Sequence, residues 1–268
     1  HISIGAIYNK SGVLDSARWY FQEALEKWRR LGEDEQGDTA KAKVKEAMCM
    51  NNLAVVLRKQ GNLKKALELA RESIRLRKEF GKPSEVASSR VNLGNIYLDI
   101  GQFDSSRIQY QRVQAFGETD ENVSLQIKAM TCLVGLAVAQ DSIYQARLIG
   151  EKVFALANQS ILTDQVELED MTIILYQLGV VLEESGAIDQ AQLYYEESLQ
   201  LGKGQNVSSE IVALLALAEV HLQKQAWVQS KDAFEKAIQI ERIDQQPELQ
   251  IRALEGLGNL SAAQAQYE

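Results

Sequence analysis

Proline, cysteine and histidine are each nearly absent, with two of each in 268 residues. His1 and His221 alone leave almost no material for a histidine metal site or a Ser/His/Asp triad. Cys49 and Cys132 lie far apart and share no metal-type spacing, so neither a disulfide framework nor a structural zinc site is expected. No apolar run approaches the ~20 residues that a membrane helix needs. The scarcity of proline has the opposite sense: it permits many long helices. With 46% hydrophobic and 25% charged residues, the chain has the composition of an ordinary folded protein rather than a disordered or collagen-like one.

The charge is unevenly spread. The formal net charge of −8 argues against a general nucleic-acid binder. Residues 1–134 carry 21 Lys+Arg against 17 Asp+Glu, whereas residues 135–268 carry 8 against 20. Between Lys41 and Lys82 stand 12 basic and 4 acidic residues, either a solvated helix surface or a patch that steers an acidic partner.

What the chain does have is a repeat. Asn92-Leu-Gly-Asn-Ile-Tyr97 followed by Gly101-Gln-Phe103 is echoed by Asn52-Leu-Ala54 with Gly61-Asn-Leu63, by Gln177-Leu-Gly179 with Gly186-Ala-Ile188, and by Ser3-Ile-Gly5 with Tyr8 and Gly12. The register residues Ile4, Leu53, Leu93, Leu133, Leu178, Leu217 and Leu257 are separated by 49, 40, 40, 45, 39 and 40 positions, so seven copies fill the chain. The next column (Gly5, Ala54, Gly94, Val134, Gly179, Ala218, Gly258) is small in six of seven copies, as close helix approach requires. A second small column follows at Ala17, Ala66, Ser106, Ala146, Ala191 and Ser230. Between them Gly12, Gly61, Gly101 and Gly186 suit a left-handed helix end. Asp141, Gln225 and Ala265 replace glycine in other copies, where a looser or different closure is expected. Two residues later comes a large apolar residue: Leu14, Leu63, Phe103, Ile143, Ile188, Trp227 or Tyr267. Phe21, Tyr110, Tyr195 and Phe234 are expected to fill the gap to the neighbouring pair. Pro83 and Pro247 each precede a register leucine by ten residues, at the start of a first helix. The spacing predicts helices over 2–11, 13–31, 39–60, 62–80, 84–100, 103–116, 121–140, 142–158, 165–185, 188–202, 207–225, 227–241 and 247–265.

These columns resemble the tetratricopeptide repeat (TPR), most fully in Asn92–Tyr110, and the resemblance covers the whole chain. The period near 40 resembles the long-repeat branch, which includes kinesin light chains, partner-of-inscuteable scaffolds and bacterial peptide-sensing regulators. The fold it implies is all-α, a right-handed α-α superhelical solenoid of helix pairs. The copies fall at about 1–38, 39–83, 84–120, 121–163, 164–206, 207–246 and, in part, 247–268. His1 already stands inside a first helix and the chain stops as the seventh second helix would begin. A piece of a longer protein is therefore expected, with contacts possible through its uncapped ends.

The resemblance also implies a function: a non-catalytic, cytoplasmic module, with no cofactor, that binds a protein or extended peptide in a concave groove lined by first helices. The alternative is a peptide-sensing segment of a larger signalling protein whose effector domain lies outside this chain. No nucleic-acid partner and no membrane insertion are expected. The family's groove positions fall on Asn51, Val55, Arg58 and Lys59; on Val91, Asn95, Leu98 and Asp99; and on Lys128, Thr131 and Val138. They continue on Tyr176, Val180, Glu183 and Glu184, on Leu215, Glu219 and Leu222, and on Arg252, Glu255 and Asn259. Amides such as Asn51 and Asn95 can donate to and accept from a peptide backbone, and Arg58, Lys59 and Lys128 can hold acidic groups. The groove thus reads as basic-to-polar in its first half and acidic in its second. No three consecutive copies supply the carboxylate clamp of the chaperone-binding members, since Asn51 is followed by Val91 and Thr131. Elsewhere, His221 shares the column of Tyr8 and Tyr97 and is expected to pack, half-buried. Glu167, Glu169 and Asp170 suit a helix dipole rather than a metal, and Gly202-Lys-Gly204 lacks the strand and spacing of a phosphate loop.

Overall fold

The computed structural model describes residues 1–33, 38–161, 168–204, 207–240 and 247–265, and among them there are helices and no strand. The helices are α1 Ile2–Lys10, α2 Leu14–Glu33, α3 Thr39–Lys59, α4 Leu63–Phe80, α5 Pro83–Asp99, α6 Phe103–Thr119, α7 Val123–Ala139, α8 Ile143–Ile161, α9 Leu168–Glu184, α10 Ile188–Gly202, α11 Val207–Gln223, α12 Trp227–Gln239 and α13 Pro247–Ala265. Each even-numbered helix begins at the large apolar residue of the repeat, from Leu14 to Trp227. Pro83 and Pro247 open α5 and α13, where a missing N–H costs no helical bond. Asp38 caps α3 by accepting from the Lys41 amide at 2.9 Å. Tyr267 lies outside the described residues.

The turns have one geometry whether or not glycine is present. Gly12, Gly61, Gly101 and Gly186 have φ of +76° to +80°, and Asp141 and Gln225 have +54° and +58°. After each, the following amide reaches back five residues: Asn62 to the Leu57 carbonyl at 2.8 Å, Ser142 to Ala137 at 2.9 Å, Ala226 to His221 at 2.8 Å. This bond and the shorter one from the turn residue itself (Gly61 to Arg58, 3.0 Å; Asp141 to Val138, 2.8 Å) make a Schellman closure. The expectation of a looser turn at Asp141 and Gln225 is therefore corrected: the backbone bonds hold a side chain in the left-handed region at a steric cost. Ala265 is the last residue of α13. Glu121 (φ +53°), between α6 and α7, closes the same way through Asn122 and the Gly117 carbonyl at 2.8 Å.

The small column is explained by rings rather than by bare backbone approach. A Cβ built on Gly94 would sit 2.3 Å from Tyr110 Cε1, on Gly179 2.4 Å from Tyr195 Cε1, and on Gly5 2.8 Å from Phe21 Cε1. Those three rings thus lie on the glycine of their own pair, 16 residues back. Phe234 instead lies against Gly256 of the next first helix, 2.2 Å from such a Cβ. All four rings are buried. Gly258, although in the register column, faces open space. Of the second-helix starters, Ile143 is exposed and the others are half-buried.

The chain divides into two compact units, His1–Leu136 and Ala137–Glu268, the boundary falling within α7. In unit 1, α1 to α6 each pack on the next, and α1–α3 and α3–α5 also meet. In unit 2 the same holds from α8 to α13, with α9–α11 and α11–α13 contacts. The apolar interior is correspondingly serial. One cluster joins Phe21, Leu53, Leu57 and Ile96, another Val91, Val113 and Ala129, and in unit 2 a third joins Ile211, Leu215, Phe234 and Ala253. Because odd-numbered helices touch their odd neighbours, they form the inner side of each stack. The candidate groove residues lie on odd-numbered helices, α3 and α5 in unit 1, α9, α11 and α13 in unit 2, and α7 at the boundary.

Candidate functional site

On the odd-helix side of unit 1 the repeat register sets a gradation of exposure. Asn51 and Val91, in the same column, are buried; Val55 and Asn95 are half-buried; Lys59 and Asp99, one helical turn on, are exposed. Val91 is packed among Ala87, Val113 and Ala129, so it offers no surface to a partner. Asn51, only 7% exposed, accepts from Asn92 Nδ2 at 3.0 Å across the α3–α5 gap. These two positions hold the stack together.

The accessible positions are coupled in pairs. Arg58 Nη1 meets Asp99 Oδ2 at 3.0 Å, and Lys59 Nζ donates to Asn9 Oδ1 at 3.1 Å. Asn95 accepts the Tyr110 hydroxyl at 2.6 Å, which leaves its amide nitrogen for other partners. The Thr131 hydroxyl donates to the Ile127 carbonyl at 2.9 Å; Lys128 is exposed, and Leu98 and Val138 are half-buried.

The odd-helix side of unit 2 carries carboxylates. Glu183 Oε2 accepts the buried Tyr195 hydroxyl at 2.7 Å and its Oε1 accepts from Gln223 Nε2 at 2.9 Å. Burial first, then the bond to this carboxylate, drives the Tyr195 hydroxyl far above the ordinary phenol range. Tyr176 lies with its ring 5.6 Å from that of Tyr195. Glu219 is gripped in a two-pronged pair by Arg252, at 2.8 and 2.5 Å. This bond is the main reason the guanidinium is held above its usual range. Val180 and Leu222 are half-buried, and Glu184, Glu255 and Asn259 are exposed. Leu215 is fully buried and belongs to the core.

The expected change from basic to acidic along the groove is thus softened by pairing: Asp99 answers Arg58, and Arg252 answers Glu219. Sequence reasoning missed Asn92, Tyr110, Tyr195 and Gln223 as parts of this face. Asn92, repeated at Asn52, was visible as a register signal but not as a partner 41 residues from Asn51.

Burial pushes the Cys49 thiol up to about 12 and Cys132 to about 11, which suppresses thiolate chemistry; both are free. His221 is half-buried, and burial lowers its pKa. Among the described residues no group of three His, Cys, Asp or Glu could hold a metal; the side chains of Glu167, Glu169 and Asp170 lie outside them. The Gly204 amide donates to Glu210 Oε2 at 3.3 Å rather than facing an open anion site. Among the described residues no helix is long and apolar enough to cross a membrane.

Comparison with known proteins places this geometry. The tetratricopeptide-repeat pattern matches residues 45–118 and, in a second form, residues 173–201. No curated protein matches the chain in sequence. Among solved structures, BtubC (BKLC) from P. vanneervenii is 16% identical with a TM-score of 0.64, over 87% of this chain and 92% of that one. A Rap protein complexed with competence and sporulation factor is 11% identical, with a TM-score of 0.59 over 97% of this chain and 78% of its own. NprR in complex with its cognate peptide NprX is 14% identical, with a TM-score of 0.54 over 98% of this chain and 70% of its own. Such low identities speak for the fold. The chain carries tetratricopeptide repeats and has the all-α, helix-pair fold of the arrays built from them.

Proposed function

We propose that the protein is a non-catalytic recognition module that binds an extended peptide, or an extended segment of a protein, along its odd-helix side. The observation that carries the reading is a polar row on the odd helices of each unit taken by itself: exposed Lys59 and Asp99 with half-buried Asn95 in unit 1, and half-buried Glu183 and Glu219 in unit 2. These groups retain unused donors and acceptors, and each is already oriented by a partner: Lys59 by Asn9, Asp99 by Arg58, Asn95 by Tyr110, Glu183 by Tyr195 and Glu219 by Arg252. Preorganised polar groups over a packed base favour an extended backbone, whose amides they can satisfy without first ordering themselves. Two structural relatives, the Rap protein and NprR, were solved with a factor or peptide bound, which supports this class of ligand. The suppressed thiols and the absence of a metal cluster among the described residues give no support to catalysis.

The test is a peptide library selected on the folded protein, with affinities of the selected peptides measured by fluorescence polarisation. Arg58→Glu with Lys59→Glu should weaken them at least tenfold, while Lys64→Glu with Lys65→Glu, exposed near the start of α4, should change them less than twofold. Equal losses in the two double variants would refute the placement of the groove. Scattering measured with and without peptide separates a rigid binder, which keeps its radius, from a sensor, which compacts.

A further inference from the structure

The first half of α5, ahead of its groove positions, borders a second feature. Between the end of α4, the first half of α5 and the second half of α6 is a cavity of about 280 Å³. Arg77, Lys78, Arg90 and Arg112 stand around it, and Val86 and Phe116 supply apolar wall. Four cations from three helices converge there, and among the described residues none of them is within 4.0 Å of a carboxylate. Two other arginines of the same segment are answered by carboxylates, Arg75 by Glu72 and Glu79 and Arg58 by Asp99.

The most enclosed of the four is also incompletely satisfied. Arg77 is 6% exposed; its Nη1 donates to the Glu85 carbonyl at 2.7 Å and to Ser89 Oγ at 2.8 Å. Its Nε–H has no acceptor. A buried guanidinium N–H without a partner is costly and points to a missing acceptor. The nearby Glu85 carboxylate is engaged with the Lys82 amide at the head of α5, at 3.1 Å. Arg90 Nη1 bonds the neutral Gln109 amide oxygen at 2.7 Å. Burial, and then the charge of Arg112, lowers the pKa of Arg90. The Glu85 charge favours the cationic form of Arg77, but one carboxylate facing four cations leaves an excess of positive charge that an anion would relieve.

We propose that this cavity binds a phosphomonoester carried on a short apolar or aromatic stem. Planar guanidinium forks match phosphate oxygens. Val86 and Phe116 receive the stem, and the volume is near the small end of ligand pockets. The site is separate from the groove, so either can fail without the other.

Phenyl phosphate, inorganic phosphate and benzoate, titrated calorimetrically into the full chain, test this. Phenyl phosphate should bind one to one, about tenfold more tightly than either other probe, and shift the Arg77 Nε–H resonance. Arg112→Gln, on an exposed side chain, should weaken it at least fivefold, and Phe116→Ala should bring it down to the level of inorganic phosphate. Lys64→Gln should leave it unchanged. Circular dichroism confirms that each variant is folded. Absence of saturation at millimolar phenyl phosphate, equal binding of all three probes, or indifference to Arg112→Gln would each overturn the proposal.

Discussion

In unit 1 the tyrosine lying over Gly94 donates its hydroxyl to an amide, Asn95; in unit 2 the tyrosine lying over Gly179 donates to a carboxylate, Glu183. The turns differ in the same spirit. Within the helix pairs of unit 1 each turn residue is glycine (Gly12, Gly61, Gly101), whereas in unit 2 Gly186 is joined by Asp141 and Gln225. Both tyrosines lie on the glycine of their own pair, and turn geometry is the same in both units. What the difference teaches is that packing and backbone closure define the repeat, while the polar partner at each position is free to set local electrostatics.

The strongest way to break this equivalence is to fill the small column. Gly94→Val and Gly179→Val should each cost about 3 kcal/mol, because the ring beneath cannot retreat from a fully packed interior. Gly258→Ala, whose Cβ meets nothing, should instead gain about 0.5–1 kcal/mol from helix propensity. Native-state hydrogen exchange reads the loss in the altered unit by itself, which matters because repeat arrays need not unfold in one step. Unequal valine costs would mean that the two rings are not seated alike.

Removing the hydroxyls sharpens the contrast. Tyr195→Phe should cost about 2 kcal/mol and Tyr110→Phe about 1 kcal/mol, since a bond to a charged acceptor is the stronger. Equal costs would make the carboxylate at Glu183 irrelevant to the fold. The smallest effects belong to the turns. Gly61→Ala should lose about 1 kcal/mol by forcing a methyl group into the left-handed region. Asp141→Gly should gain about 0.5 kcal/mol, the relief of strain being partly offset by the entropy of glycine. Urea midpoints of the two variants against the parent chain check both signs.

Most of the architecture could be read before any coordinates, because it is local. Leu14, Leu63, Phe103, Ile143, Ile188 and Trp227 each open a helix where the register put them, and Pro83 and Pro247 begin first helices. The odd-numbered helices that carry Lys59, Asn95 and Glu183 followed from the same register. What escaped was non-local or of the wrong residue type. Arg58 and Asp99 are 41 positions apart, and nothing in either segment announces the other. Arg77, Arg90 and Arg112 come from three helices, so a count between Lys41 and Lys82 found part of the cluster without its geometry. Val91 and Leu215 occupy groove columns yet are buried, since column membership does not measure how closely the next pair approaches. Asp141 and Gln225 were misjudged because the residue preference of a left-handed turn was weighed without the carbonyls that hold it closed.

The helix order of each unit has one more consequence. Since, among the described contacts, a rod meets the rods one or two places away along the chain, no residue there must satisfy a remote committee of neighbours. Whole pairs can in principle be duplicated or deleted during evolution, or in the laboratory, with only the two flanking seams to be resolved again. Reach, and with it the length of segment that can be read, is then an inheritable variable nearly independent of how each pair is built.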